Sequence, residues 1–157
     1  MSETQTTRIT AGTPAPGADS RALGLAHYAA RGVLEHVLAR HGVTFQQQIA
    51  LRAAVTAETA QTPDQLVRSV RSSLKADPAE VSATLDELLN RGLLVAEGPH
   101  LLPTQAGREL LAAVAAETAP ISARVWDGIP AEDLAAAGRV LALVTARANA
   151  ELAALTA

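Results

Sequence analysis

Two helix-start signals about 15 residues apart constrain this chain more than any other feature. Thr62 precedes Pro63 and Asp77 precedes Pro78, and in each pair a capping side chain is followed by a proline suited to the first helical position. Apolar residues with helical spacing follow each start, namely Leu66, Val70 and Leu74, then Val81, Leu85, Leu88 and Leu89. The sequence therefore predicts two short, consecutive helices.

A β-hairpin is predicted directly after the second of these helices. Leu93-Leu94-Val95 and Leu101-Leu102 have strand length and flank Gly98-Pro99, a dipeptide typical of turns. Two helices followed by a hairpin is the order of a winged helix-turn-helix lobe. In such a lobe the second helix enters the major groove of DNA, and the hairpin reaches an adjacent groove or the backbone. We expect this lobe to span residues 44–103, beginning with a helix that Thr44 caps.

Long helices are predicted on both sides of the lobe. Apolar residues make up 48% of the chain but aromatic residues only 2%, so Ala, Leu and Val favour helices packed on helices. The first helix begins near Asp19 or Ser20, the fifth runs from Thr104 to about Trp126, and the sixth runs from Pro130 to about Leu155. Residues 1–18 lack periodicity, which predicts a disordered tail. The expected fold is mostly α with a small β-hairpin wing.

The apolar faces of the terminal helices are wider than one neighbouring helix would cover. In the sixth helix, apolar residues recur every seven positions at Leu134, Leu141, Ala148 and Leu155. Such a face left in water is energetically costly. We therefore expect residues 19–43 and 104–157 to form a dimerisation region that pairs two copies of the chain. The alternative is a monomeric bundle in which the first, fifth and sixth helices bury one another.

Several segments resemble the MarR family of bacterial transcriptional regulators. They are Thr44-Phe45-Gln46-Gln47, residues 62–66, the apolar pattern from Val81 to Leu94, and Leu102-Pro103-Thr104-Gln105-Ala106-Gly107-Arg108-Glu109-Leu110-Leu111. The last segment looks like the strand-to-helix junction that follows the wing in that family. The resemblance implies a homodimer with two winged-helix lobes on a pseudo-palindromic DNA operator. In many members a small-molecule effector pocket lies where the lobe meets the dimerisation region.

The chain differs from this family where members contact DNA. Ala83 stands where members generally present an arginine on the recognition helix, and Glu80 and Glu87 add negative charge to it. The wing tip lacks the basic residues that members insert in the minor groove, so only His100 offers a positive charge there, and only when protonated. These differences imply weak or atypical DNA affinity. The alternative is a winged-helix dimer that has lost DNA binding and acts as a ligand-binding or protein-interaction module.

Seven side chains are candidates for contacts to DNA: Thr62, Arg68, Arg71, Lys75, Ser82, Thr84 and His100. The three basic residues are spaced to share one helix face, where they contact phosphates or form a solvated surface stripe. Thr62 either helps to bind a phosphate at the start of its helix or only caps that helix. Ser82 and Thr84 either contact DNA or are simply exposed.

Five residues are candidates for lining a pocket for an aromatic or acidic effector: His27, Tyr28, Arg31, Phe45 and Trp126. The alternative is that the aromatic rings only fill core. His27, His36 and His41 are nine and five residues apart, whereas a helical zinc site prefers a spacing of four, so no metal or other cofactor is expected.

The remaining features bear on activity and location. The chain has no nucleophile elbow, phosphate-binding loop or paired-carboxylate pattern, so no residue pattern indicates an enzyme. It also has no cysteine, no apolar segment of about 20 residues and no signal-peptide pattern. We therefore expect a cytoplasmic protein without a membrane segment.

Overall fold

A computed structural model describes residues 17–157, so the predicted disordered tail lies almost entirely outside the described residues. The described part contains six helices and one antiparallel hairpin: α1 Ser20–Arg40, α2 Phe45–Thr56, α3 Pro63–Leu74, α4 Pro78–Asn90, β1 Leu94–Glu97, β2 His100–Pro103, α5 Gln105–Trp126 and α6 Ala131–Leu155. The predicted fold class, mostly α with a small β-hairpin wing, is confirmed.

The main core lies in the middle of the chain, where α2, α3, α4 and the hairpin meet. Leu51, Leu66, Leu88 and Leu94, one from each of these elements, are fully buried. Both predicted caps are present: the Thr62 hydroxyl oxygen accepts from the backbone N–H of Gln65, and the Asp77 carboxylate accepts from the backbone N–H of Ala79. Capping and one shared apolar core thus hold α3 and α4 together.

The wing is a two-stranded hairpin in which Leu94 lies opposite Pro103 and Glu97 lies opposite His100. A further backbone hydrogen bond, from the N–H of Leu101 to the carbonyl of Gln61 at 2.8 Å, joins the wing to the residue that precedes α3 by two positions. This single-residue bridge was not predicted, because one residue carries no periodicity. It places the start of α3 beside the wing.

The hairpin leads into α5 through a tightly packed junction. The Thr104 hydroxyl donates to the carbonyl of Gly92 at 2.7 Å and accepts from the N–H of Gly107 at 3.1 Å. A Cβ atom on Gly107 would overlap the carbonyl oxygen of Leu93 and would lie 3.1 Å from Leu51 Cδ1. Only glycine therefore fits where α5 crosses the end of the wing.

A second, smaller core joins α1 to α5 through Val37, Leu38, Val43 and Val114. At its edge, Arg40 and His41 both bond to Glu117 on α5, with His41 Nε2 3.1 Å from Glu117 Oε1. The hydrogen bond from the Arg40 guanidinium lowers the pKa of the Glu117 carboxyl. These contacts fix the C-terminal end of α1 to α5.

The last helix differs from the rest. None of the 25 residues of α6, all of them described, is buried. Its exposed apolar side chains include Val140, Leu141, Leu143 and Val144, with exposures of 42–51%. None of the helices between residues 17 and 157 is long and apolar enough to cross a membrane.

Candidate nucleic-acid interface

The candidate interface consists of the exposed sides of α3 and α4 together with the wing. The backbone bridge between Gln61 and Leu101 sets its layout, because Thr62 and His100 are the neighbours of the two bridged residues. His100 is half-buried at the start of β2, and Thr62 begins α3. The structure thus brings together the wing and the helix start that the sequence placed 38 positions apart.

The basic residues of this surface are Arg68, Arg71 and Lys75, and all three are exposed. Arg71 Nε donates to the carbonyl of Ala76 at 3.2 Å, and Lys75 Nζ donates to the carbonyl of Ser72 at 2.6 Å. Within residues 17–157, none of the three has a carboxylate within 4.0 Å. Their positive charge is therefore not neutralised locally and remains available to phosphates.

The predicted recognition helix, α4, presents few hydrogen-bonding groups. Ser82 is exposed, and its hydroxyl donates to the carbonyl of Pro78 at 3.0 Å. Ala83 is exposed and has no polar atom in its side chain. Glu80 and Asp86 are exposed carboxylates that no described cation neutralises. The α4 surface is therefore weakly acidic, whereas that of α3 is basic.

Thr84 corrects the sequence prediction. Its side chain is 7% exposed, and its hydroxyl donates to the carbonyl of Glu80 at 3.0 Å. Helical spacing places Thr84 on the same side of α4 as Val81 and Leu88, which face the core. It lies inside the lobe and does not belong to the candidate interface.

A separate cavity of about 270 Å³ lies between α1, α2 and α5. Its walls are mostly apolar and are formed by Leu34, Gln48, Arg52, Leu111, Val114, Ala115 and Thr118. Gln48 is 3% exposed, and its Oε1 atom has no hydrogen-bond partner among the described residues. The cavity therefore offers a glutamine amide and an arginine on a mostly apolar wall, which suits a small ligand with a hydrogen-bonding group and a negative charge.

The five predicted pocket residues lie elsewhere. The guanidinium of Arg31 lies 4.5 Å from the centre of the Phe45 ring, and His27 contacts Tyr28 edge-on at 5.6 Å. Trp126 is 56% exposed and lines a different groove of about 170 Å³ between α1 and α5. None of the five lines the 270 Å³ cavity.

Sequence reasoning missed Gln48, although a signal for it exists. Gln48 precedes Leu51 by three positions and Arg52 by four, so it lies on a helix face with Leu51. A glutamine on an apolar helix face indicates a buried polar group that needs a partner. For metals, no group of three or more His, Asp or Glu side chains between residues 17 and 157 is arranged to hold an ion.

Comparison with known proteins identifies the family. The model of a family described as a helix-turn-helix family matches residues 19–155. No curated protein sequence matches this chain.

Solved structures with the same fold include MarR family transcriptional regulators. A MarR family transcriptional regulator from Streptomyces coelicolor superposes with a TM-score of 0.67 at 19% identity, covering 82% of this chain and 91% of that one. CouR from Rhodococcus jostii RHA1 bound to p-coumaroyl-CoA gives 0.67 at 22% identity, covering 78% and 88%. Staphylococcus aureus MarR in complex with salicylate and kanamycin gives 0.68 at 16% identity, covering 79% and 85%. The chain therefore belongs to this helix-turn-helix family and has the winged helix-turn-helix fold of the MarR transcriptional regulators, as its sequence motifs predict.

Proposed function

We propose that this protein is a homodimeric, DNA-binding transcriptional regulator that recognises a pseudo-palindromic operator with weak or atypical affinity. The observation that carries the proposal is the helix-turn-helix of α3 and α4, with unneutralised cations on α3 beside the wing. In a lobe of this shape the second helix enters the major groove. A cytoplasmic location is part of the proposal, because an operator-binding protein acts where the DNA is.

The bare surface of α6 supports the dimer. Most helical stability in proteins comes from tertiary packing of an apolar face, and α6 has no buried residue in a single chain. Further exposed apolar side chains lie on α1 and at the end of α5, among them Leu25, Val33, Val125 and Trp126. A second copy of the chain would cover these surfaces and would present two lobes to the two halves of a palindrome.

Each lobe would contact DNA mainly through its backbone. Arg68, Arg71 and Lys75 would bind phosphates, and the Thr62 hydroxyl, which acts as an acceptor in its cap, keeps its hydrogen for a phosphate oxygen. Ser82 would lie near base edges on α4, and His100 would reach the DNA from the wing. The carboxylates on α4 would oppose binding, which accounts for the proposed low affinity.

Replacing Arg68 with alanine is expected to make the salt dependence of DNA binding shallower. One phosphate contact is lost in each of two lobes, so the slope of log affinity against log salt should fall by about 1.8, at about 0.9 per contact. Affinity titrations at several salt concentrations measure this slope. Arg139→Ala, on α6, is the matched control and should leave it unchanged. An unchanged slope for Arg68→Ala would show that Arg68 does not contact a DNA phosphate and would contradict the placement of α3 in the interface.

We also propose that the cavity beside Gln48 binds the effector. Salicylate and p-coumaroyl-CoA are bound by two of the structurally similar regulators. In this chain a small hydroxylated aromatic acid would hydrogen-bond to the amide of Gln48 and pair its carboxylate with Arg52. This placement replaces the pocket predicted from His27, Tyr28, Arg31, Phe45 and Trp126.

The substitution Gln48→Leu is expected to stabilise the free protein and to weaken ligand binding. It removes a buried acceptor without a partner, which should raise the free energy of unfolding by about 1–2 kcal/mol. With salicylate as the probe, the affinity should fall about tenfold, since the hydrogen bond to the ligand is lost. Thermal unfolding with and without salicylate measures both effects. Gln46→Leu, an exposed neighbour, is the control; equal behaviour of the two variants would refute the site.

The acidic surface of α4 favours a second candidate function, a winged-helix dimer that has lost DNA binding and binds a ligand or another protein instead. Gel shift with DNA from upstream of its own gene at about 50 mM salt separates the two, because non-specific attraction is strong at low salt. Retardation supports the regulator. Absence of retardation, combined with gain of binding by the double variant Glu80→Arg and Ala83→Arg, supports the second candidate.

A further inference from the structure

A chain of hydrogen bonds joins the C-terminal half of α4 to the corner where α1 meets α2. Arg91 Nη1 donates to the carbonyl of Gly42 at 2.8 Å and to Gln47 Oε1 at 3.0 Å. Gln47 Nε2 donates in turn to Glu87 Oε2 at 2.7 Å. We call these groups, the Gly42 carbonyl with the side chains of Gln47, Glu87 and Arg91, the α4 clamp.

The centre of the clamp is the buried side chain of Gln47. It is 7% exposed, and both ends of its amide are used, because Oε1 also accepts from the backbone N–H of Thr44 at 3.1 Å to complete a capping box. Polar groups that are partly buried cost free energy when left unpaired. The clamp should therefore persist in solution rather than exchange freely with water.

The clamp adds a polar link between the two apolar cores, which also share Leu110 of α5. Gly42 follows α1, whose end is fixed to α5 by the smaller core around Val37 and Val114. Glu87 lies in the last turn of α4, which packs in the main core, and Arg91 is the residue directly after that helix. Residues 42 and 91 are 49 positions apart, so their bond sets an angle between elements rather than a local turn.

We propose that Gln47, Glu87 and Arg91 are positioning residues that set the direction of the recognition helix relative to the dimerisation helix α1. The inference rests on the proposed function, since orientation matters when two lobes must fit two half-sites at once. The sequence suggests that Glu87 only adds negative charge to the DNA-facing helix, whereas in this proposal it helps to orient that helix. Likewise, the Arg91 guanidinium bonds to Gly42 and Gln47 within the protein and does not contact a DNA phosphate in this proposal.

Three variants distinguish positioning from simple charge. Glu87→Ala and Asp86→Ala each remove one carboxylate from adjacent exposed positions of α4, but only the first breaks the clamp. Arg91→Met breaks the clamp and removes a positive charge. If charge alone matters, both carboxylate variants bind DNA more tightly and Arg91→Met binds it less tightly. If the clamp orients α4, Glu87→Ala and Arg91→Met both weaken binding, by about fivefold to tenfold, and Asp86→Ala alone strengthens it.

A measurement without DNA keeps the test independent of the proposed function. The chain has no cysteine, so Ala26→Cys on α1 and Ala83→Cys on α4 accept spin labels at two defined, exposed sites. Dilution of the labelled chain with unlabelled chain restricts the measured distances to one protomer. The parent and Asp86→Ala should give one narrow distance distribution, and Glu87→Ala and Arg91→Met a broader or displaced one.

The outcomes separate cleanly. Weaker DNA binding by both clamp variants, with altered distances, supports the proposal. Tighter binding by Glu87→Ala together with unchanged distances overturns it. If neither the parent protein nor any variant binds DNA, the proposed function fails. The distance distributions then decide by themselves whether the clamp fixes the direction of α4.

Discussion

Replacement of Gly107 with alanine is expected to destabilise the protein by about 3 kcal/mol, because overpacking against rigid atoms costs this much. In an ordinary helix the same change stabilises, by about 1 kcal/mol, since alanine is the better helix former. Here the added methyl group would overlap the carbonyl oxygen of Leu93, and that oxygen is held by the N–H of Thr104 at 3.1 Å. The backbone on both sides would have to move.

Denaturant unfolding followed by circular dichroism measures this effect. The matched control is Gly32→Ala, in the middle of α1, where an added Cβ meets nothing within 4 Å. The control should unfold at a higher denaturant concentration than the parent, and Gly107→Ala at a clearly lower one. Equal shifts for the two variants would show that α5 does not cross the wing as closely as described.

Disruption of the α6 surface is expected to abolish the dimer. Leu141→Glu combined with Val144→Glu places charge on two exposed apolar positions that share one face of α6. A dimer would bury four such side chains, each worth about 1.5 kcal/mol, so the dissociation constant should rise by about four orders of magnitude. Because no residue of α6 is buried within a single chain, helical content should fall as well.

Sedimentation at micromolar concentration and circular dichroism measure these two effects. Ala146→Glu combined with Ala150→Glu adds the same charge on the opposite side of α6 and is the control. The control should remain a dimer. A parent protein that sediments as a single chain, with α6 intact, would favour the monomeric bundle that the sequence also permits.

The winged-helix lobe was largely predictable because its signals are local. Thr62 with Pro63 and Asp77 with Pro78 mark helix starts by their own chemistry, and the leucine spacing marks the buried face. The turn at Gly98-Pro99 ends one strand and begins the next. Each of these features depends on residues within a few positions of one another.

Features that depend on distant residues were not predictable from one sequence. The cavity is formed by three helices, and periodicity shows that each has an apolar face without showing which faces meet. The clamp bonds of Gln47 and the cavity wall that includes Gln48 were therefore not predicted. Thr84 was misassigned for a different reason: a threonine tolerates both exposure and burial, and its hydroxyl is satisfied by the carbonyl of its own helix.

The most direct test of the account is the stoichiometry of the complex with DNA. Sedimentation of the full chain with a labelled duplex from upstream of its own gene should be run at about 50 mM salt, where phosphate contacts are strongest. The account predicts a free protein with twice the single-chain mass of 16.2 kDa and a complex of two chains per duplex. A protein of single-chain mass that leaves the duplex free at every concentration would contradict it.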